Sequence, residues 1–262
     1  MMGNMTRKLG TGAEAWFSYD ENGRMLAQDD ATGHLAYSYA PKSYRVTEVS
    51  GKIGLDRSRD ASSKNNFVYD ASGRVVGDAS KNLAIEYDMS GLPVLFTVKD
   101  GSDLYHAINV YDPQGWRVGV LEYTNNVLQS LRTDIMVDGK KELERHTDMA
   151  HAIGATASQP SVSEYKMLYG AAGVLGRENA GGGREWYVKD YQGNVRVVLD
   201  QNNQPVELNS YYPYGSLMAA TTAEGVQSRK YGAKELDREN GLDWHDFEAA
   251  CSCPTSAEQH HL

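Results

Sequence analysis

The sequence predicts an all-β protein, built of antiparallel hairpins that join into a curved or spiralling sheet, a partial β-shell. Three observations carry this expectation. Asp-x-x-Gly recurs at Asp20–Gly23, Asp30–Gly33, Asp70–Gly73, Asp88–Gly91, Asp112–Gly115 and Asp190–Gly193. A tyrosine directly precedes the aspartate in four of the six, at Tyr19, Tyr69, Tyr87 and Tyr111. The flanks alternate with period two and favour β-branched residues, the pattern of half-buried strands.

The turn spacing has a mechanism. Aspartate at the first turn position accepts a hydrogen bond from the backbone amide two residues on. Glycine at the fourth position tolerates the left-handed backbone that closes a hairpin with a bulge. Before the turn, Phe17, Phe67 and Ile85 stand two residues from Tyr19, Tyr69 and Tyr87, on the same strand face. After it come Val75-Val76, Val94-Leu95-Phe96, and Val118 with Val120; further on, Val195, Val197 and Leu199 alternate with Asn194, Arg196 and Val198. Asp100-Gly101, Asn125-Asn126, Asp138-Gly139 and Asn202-Asn203 add turn signals. The repeats are unevenly spaced, which argues against the equal blades of a propeller.

Composition bounds the function classes. The 262 residues carry a net charge of −9 with no basic run, which argues against nucleic-acid binding. No segment approaches the roughly 18 apolar residues of a transmembrane helix. The N-terminus, MMGNMTRKLGTG, lacks the apolar centre of a signal peptide. Tyrosine outnumbers phenylalanine, 17 to 4, and suits sheets with one edge of the ring packed and the hydroxyl wet. The only two cysteines, Cys251 and Cys253, sit in the last dozen residues, so disulfides cannot staple the body.

The C-terminal third holds further motifs: WYVKDYQGNVRVVLD (186–200), YYPYG (211–215) and KYGAKELDRENGLDWHDFEA (230–249). Together with the Tyr-Asp-x-x-Gly units, these resemble the rearrangement-hotspot (Rhs), or YD-repeat, family. Tyr212, Pro213, Tyr214 and Gly215 match its Tyr-x-Pro-aromatic-Gly motif. Lys234, Glu235, Asp237, Gly241 and Leu242 match the Gly-Lys-Glu-x-Asp…Gly-Leu-x-aromatic block of its associated core. Two departures stand out: Lys189 occupies a tyrosine position, and Ala233 intervenes between Gly232 and Lys234.

The resemblance implies a spiral of β-sheet that closes, in complete members, into a hollow shell holding a C-terminal toxin domain. The core block plugs one end and in some members cleaves itself at an Asp-Pro junction downstream of this block. The implied partners are the rest of that shell and its toxin, and the implied destination of the complete protein is secretion or the cell surface. The ends, GNMTR (3–7) and ACSCPTSAEQHHL (250–262), look cut from a longer gene, so a fragment with open strand edges that self-associates is expected. The expected organisation is a repeat sheet over 1–134, an irregular insertion with a few strands over 135–183, a core-like segment over 184–249 and a disordered tail over 250–262. Within the insertion, residues 141–153 read as a short helix, and 176–183 as a hairpin tip or loop.

No catalytic, cofactor or metal site is expected. His146 and His151 are five apart and lack the spacing of a zincin pair. Cys251-x-Cys253 with His245, His260 and His261 lacks paired zinc-ligand spacing. Glu235, Asp237, Glu239, Asp243 and Asp246 offer carboxylates for glycoside chemistry, but a turn with Trp244 and Phe247 packed on it explains them better. No Gly-x-Ser-x-Gly elbow occurs. The sequence thus favours a non-catalytic wall segment. The alternative is an extracellular carbohydrate-binding module that uses Tyr211, Tyr212 and Tyr214 as a stacking surface for cell-surface glycans.

Overall fold

The computed structural model describes residues 7–9, 14–57, 62–149, 160–171, 173–223, 225–238, 242–246 and 251–252. Among these described residues three antiparallel sheets form, and none closes into a barrel. The first contains β1 (Arg7–Leu9), β2 (Glu14–Tyr19), β3 (Met25–Asp30), β4 (Gly33–Tyr39) and β5 (Val46–Lys52). The second has 13 strands: β6 (Phe67–Tyr69), β7 (Val75–Asp78), β8 (Leu83–Tyr87), β9 (Pro93–Asp100), β10 (Asp103–Tyr111), β11 (Arg117–Thr124), β12 (Val127–Val137), β13 (Lys140–Asp148), β14 (Ser161–Gly170), β15 (Gly173–Asn179), β16 (Arg184–Lys189), β17 (Val195–Asp200) and β18 (Pro205–Leu208). Each of these strands pairs with its neighbours in sequence. The third sheet is small, β19 (Glu235–Asp237), β20 (Trp244–Asp246) and β21 (Cys251–Ser252).

Side-chain amide and hydroxyl groups join the first two sheets. The buried Asn66 side chain accepts from Val49 N at 2.9 Å and donates to Val49 O at 3.0 Å, copying a ladder pair where the strands themselves stop. Tyr69 OH donates to Val46 O at 2.6 Å across the same seam.

That tyrosine contact is one instance of a recurring lock. Tyr39 OH donates to Met25 O (2.7 Å), Tyr87 OH to Val75 O (2.8 Å), Tyr111 OH to Pro93 O (3.1 Å), Tyr169 OH to Lys141 O (2.9 Å) and Tyr211 OH to Val195 O (2.6 Å). Tyr39, Tyr69, Tyr87 and Tyr111 each end a hairpin's first strand, Tyr169 stands one residue before the end of β14 and Tyr211 follows β18; each reaches the backbone just past an earlier turn. Arginines from those turns lie over several of the same rings: Arg24 on Tyr39, Arg45 on Tyr69 and Arg74 on Tyr87, 4.5–5.0 Å from the centroids. Sheet register is therefore fixed by side chains as well as by the ladder.

The core lies on one sheet face, under the segment running from Asn209 to Asp246. Phe17, Met25, Leu35, Tyr37 and Val46 pack beneath Tyr212 and Met218. Leu83, Ile85, Phe96 and Val98 pack beneath Leu242 and Trp244, with Phe96 and Trp244 edge to face at 5.7 Å.

Residues 135–183 differ from the irregular insertion expected of them. The end of β12 and all of β13, β14 and β15 continue the large sheet, and residues 141–148 are strand where a helix was expected. The reason is chemical. Asp134 and Glu144 sit opposite one another on the inner face, where polar groups pair with each other, so no apolar period marks these strands. Residues 150–159 lie outside the described residues. In the tail expected to be disordered, Cys251–Ser252 pairs with β20, whose edge offers unpaired backbone groups; residues 253–262 lie outside the described residues.

Candidate functional site

Two sets of residues singled out by sequence have distinct places in the fold, the turns at the hairpin tips and the core-like motif on the sheet face. At Asp20, Asp70, Asp88, Asp112 and Asp190 the geometry repeats closely. The aspartate amide donates to the carbonyl four residues on at 2.9–3.0 Å, and the glycine amide donates back to the aspartate carbonyl at 3.0–3.1 Å. The carboxylate oxygen Oδ1 accepts from the amides two and four residues on, at 2.9–3.0 Å. Gly23, Gly73, Gly91, Gly115 and Gly193 have φ between 80° and 87°, the left-handed region that penalises other residues. A register shift falls next to Tyr19, Tyr69, Tyr87, Tyr111 and Lys189, the bulge that such turns require.

Asp30–Gly33 departs from this scheme. Asp30 pairs directly with Gly33 and no register shift follows, because Asp30 Oδ1 takes the Thr32 and Gly33 amides in a tighter two-residue turn. Asp200 makes the full turn with Asn203 at φ 60° in the glycine position. Asparagine tolerates that backbone, so the turn escapes an Asp-x-x-Gly search.

The core-like motif is built inward. Tyr211 and Tyr212 are each 1% exposed. Tyr212 N donates to Ser216 O at 2.9 Å, and its hydroxyl donates to the Asp30 carboxylate. Pro213 O accepts from Tyr231 OH at 2.9 Å, and Tyr214 packs against the first core cluster. Gly215 has φ 92°, and a Cβ there would sit 2.8 Å from the Tyr231 ring, so glycine is required twice over. The sugar-stacking surface expected of Tyr211 and Tyr212 is therefore not formed: their rings are consumed by packing. Leu242 is buried beside Trp244, and its carbonyl accepts from the fully buried Lys81 Nζ at 3.0 Å. Gly241, Glu239 and Phe247 lie outside the described residues.

Glu235 is the hub that ties this motif to the large sheet. Its carboxylate meets Arg117 Nη2 at 3.0 Å, Arg132 Nη2 at 3.1 Å, Arg229 Nη2 at 3.4 Å and Lys141 Nζ. Asp237 and Asp246 take the other arms of Arg117, at 2.5 and 2.8 Å. Lys141 Nζ also contacts Asp134 at 2.7 Å and Glu144 at 3.0 Å. Glu144 Oε1 in turn lies 2.6 Å from His146 Nε2. These cations come from β11, β12, β13 and the approach to β19.

The cost of burying such charges is offset only by mutual pairing. Burial pushes the Glu235 carboxyl up, but Lys141, Arg132, Arg229 and Arg117 together hold it well below the usual carboxylate range. Glu144 is also held low against burial, by Lys141 and then His146. Burial raises Asp134, with Arg132 and Lys141 opposing. Despite burial, Asp237, Asp246 and Glu235 raise Arg117 well above its ordinary value. Asp134, Glu144 and Glu235 bring oxygens within 4.8 Å of one another, a set able to hold a cation. The Lys141 ammonium is that cation.

Sequence reasoning singled out Glu235 and Asp237 but missed Arg117, Arg132, Lys141 and Arg229. Alternating charges on a strand read as a solvated face, and only the docking of β19 makes them interior. His245 is fully buried, with burial lowering its pKa to about 4 and the Gly215 carbonyl, 3.4 Å from Nε2, partly opposing. His146 sits on β13. His151, His260, His261 and Cys253 lie outside the described residues.

Neither a known family profile nor a curated protein sequence matches the chain. Solved structures do match in fold. A chain of TcdB2-TccC3 without its hypervariable C-terminal region aligns with a TM-score of 0.65 at 16% identity over 92% of this chain. A chain of TcdB2-TccC3-Cdc42 aligns at 0.62 and 14% identity, also over 92%. This chain spans 12–14% of the length of those two. The fold is thus shared with one portion of two much larger chains.

Proposed function

We propose that this chain is a non-catalytic structural segment of an Rhs/YD-repeat shell, with its wall formed by the hairpin sheet and its inner face fastened to the core-like segment. The observation that carries the reading is the Glu235 hub. A residue of the core-like motif is clamped by four cations, three of them contributed by the sheet strands β11, β12 and β13. Wall and core-like segment are in this way one unit. The likeness to TcdB2-TccC3 supports the wall reading at the level of fold. The aspartates of the repeats serve their own backbone amides, which supports a role in bending the chain rather than in reaction.

On this reading the partners are further hairpins of the same shell and the cargo it holds. The test is electron microscopy of the polypeptide purified from its native source at the length produced there. A hollow, β-walled particle with this segment in its wall is the expected result; a solid particle without a lumen overturns the reading. Mass spectrometry of the incubated chain is expected to show no self-cleavage, and model glycosides no turnover.

A further inference from the structure

The run of strands is not equally strong along its length. From β1 to β5 and from β6 to β18 each strand shares a backbone ladder with the next, but among the described residues no backbone–backbone hydrogen bond links β5 to β6. Side chains bridge that gap. Beside the Asn66 pair with Val49 and the Tyr69 bond to Val46, Asn65 N donates to Glu48 Oε2 at 3.1 Å, and Arg45 lies over the Tyr69 ring. Parting β5 from β6 therefore orphans fewer main-chain groups than parting β5 from β4, which are laddered from His34–Lys52 to Tyr39–Val46. The segment from Asn209 to Asp246 lies across this seam and grips both sides. On the first sheet's side, Tyr212 OH donates to the Asp30 carboxylate, Leu55 N donates to Leu217 O at 3.0 Å, Arg238 Nη2 donates to Leu55 O at 2.6 Å and Arg57 Nη1 donates to Arg238 O at 2.8 Å. On the second sheet's side, Leu242 O accepts from Lys81 Nζ, Trp244 meets Phe96, and Glu235 meets Arg117, Arg132 and Lys141. The apolar contacts of the seam are completed by the same segment: Val46 and Val49 of β5 and Phe67 of β6 share one cluster with Tyr212 and Met218.

We propose that the β5–β6 seam is a joint and that the docked segment is the strap holding it closed. When the strap lets go, the five-stranded sheet turns away from the thirteen-stranded one while each keeps its own ladder. The two grips are unequal. Releasing the second sheet means breaking the Glu235 hub and leaving desolvated charges behind. Releasing the first sheet means breaking single hydrogen bonds and lifting Tyr212 and Met218 from their cluster. The strap therefore stays with the thirteen-stranded sheet, and opening is a local event that spares both ladders. The joint follows from the hydrogen-bond pattern and stands without the wall reading. Its consequence in a shell, a line along which the wall parts, rests on that reading.

The test is residue-resolved hydrogen exchange on the full chain. The Val49 amide reports the seam, because it donates to Asn66 Oδ1. The ladder amides between β3 and β4 report the integrity of the first sheet, and the Leu236 amide, which donates to Ser228 O, reports the strap itself. In the parent chain Val49 is expected to exchange faster than the β3–β4 amides. Tyr212→Phe removes the hydroxyl held by Asp30 and nearly keeps the shape of the side chain. It should speed Val49 exchange about fivefold, the worth of one hydrogen bond, and leave the β3–β4 and Leu236 amides unmoved. Arg57→Gln, a change at an exposed side chain outside both seam strands, should speed it roughly two- to fivefold in the same pattern. Three results would each overturn the joint: Val49 protected as well as the β3–β4 amides in the parent chain, Val49 unmoved by both substitutions, or β3–β4 amides speeding together with Val49, which is melting of the sheet. None of them requires a lumen, so failure of the wall reading in the microscope leaves this test intact.

Discussion

Replacing Glu235 by glutamine removes one charge from the centre of the buried network while nearly keeping its shape. The consequences can be followed atom by atom. Arg117 keeps Asp237 at 2.5 Å and Asp246 at 2.8 Å. Lys141 keeps Asp134 at 2.7 Å and Glu144 at 3.0 Å. Arg132 is left with only the longer contacts to Asp134 (3.7 Å) and Asp237 (3.6 Å), and Arg229 loses its carboxylate. Breaking a buried pair by removing one partner costs about 3–5 kcal/mol, because the remaining charge stays desolvated. The amide oxygen still accepts a hydrogen bond, which places Glu235→Gln near the lower figure. At roughly 2–4 °C per kcal/mol for a chain of this size, the melting temperature should fall by about 6–12 °C. Scanning calorimetry at pH 7 measures this. Hydrogen exchange should show faster loss of the Leu236 amide, which donates to Ser228 O at 2.9 Å beside the hub. A shift below about 2 °C would refute the claim that Glu235 fastens the segment.

Other expectations follow from the same geometry. His245 has a folded pKa of about 4 against 6.5 unfolded, so the unfolded chain binds its proton first; stability is full above pH 6.5 and falls by up to about 3 kcal/mol as pH drops to 4. His245→Gln should flatten that part of a stability–pH curve measured by urea titration. Glu235 and Glu144 are likewise held below their ordinary range, so their contribution is complete above the unfolded carboxylate pKa and is lost only as pH falls through their lower folded values. Gly115→Ala meets only Leu92 Cδ1 at 3.8 Å, so its cost is the left-handed backbone alone, about 1–2 kcal/mol, and Gly115→Asn should cost less in the same thermal melt. Tyr87→Phe removes one register bond and should cost about 1 kcal/mol by urea unfolding. Light scattering against concentration should show self-association, because β1 and β18 each end a sheet.

The fold class was legible because its determinants are local. Aspartate two and four residues before the amides it accepts, with glycine where φ is positive, is an instruction the chain carries within five residues. Asp200 to Asn203 carries the same instruction in different letters. What was not legible depended on the docked segment. Lys141 and Glu144 read as part of a short polar helix until Glu235 arrives from almost a hundred residues away, and no one-dimensional pattern marks that arrival. Tyr211 and Tyr212 fail for the mirror reason. Tyrosine is amphipathic enough to suit a wet binding face or a core, and only the packing of Met218 and Asp30 around that segment decides between them.

The charged hub also bears on why the C-terminal segment is fastened to the sheet this way. Leu242 and Trp244 already provide apolar docking a few residues on, and burying more leucine would be the easier source of stability. Apolar contact, however, tolerates sliding, and a sheet offers nearly equivalent seats every two residues along each strand. The carboxylates of Glu235 and Asp237, two residues apart on β19, reach Arg117 on β11, Arg132 on β12 and, from Glu235, Lys141 on β13. A slip of one residue turns both acids away from all three strands, and a slip of two strands at least one buried cation without a partner. The network thus penalises every register but one, and it does so at the place where a long, repetitive sheet is least able to choose a register for itself.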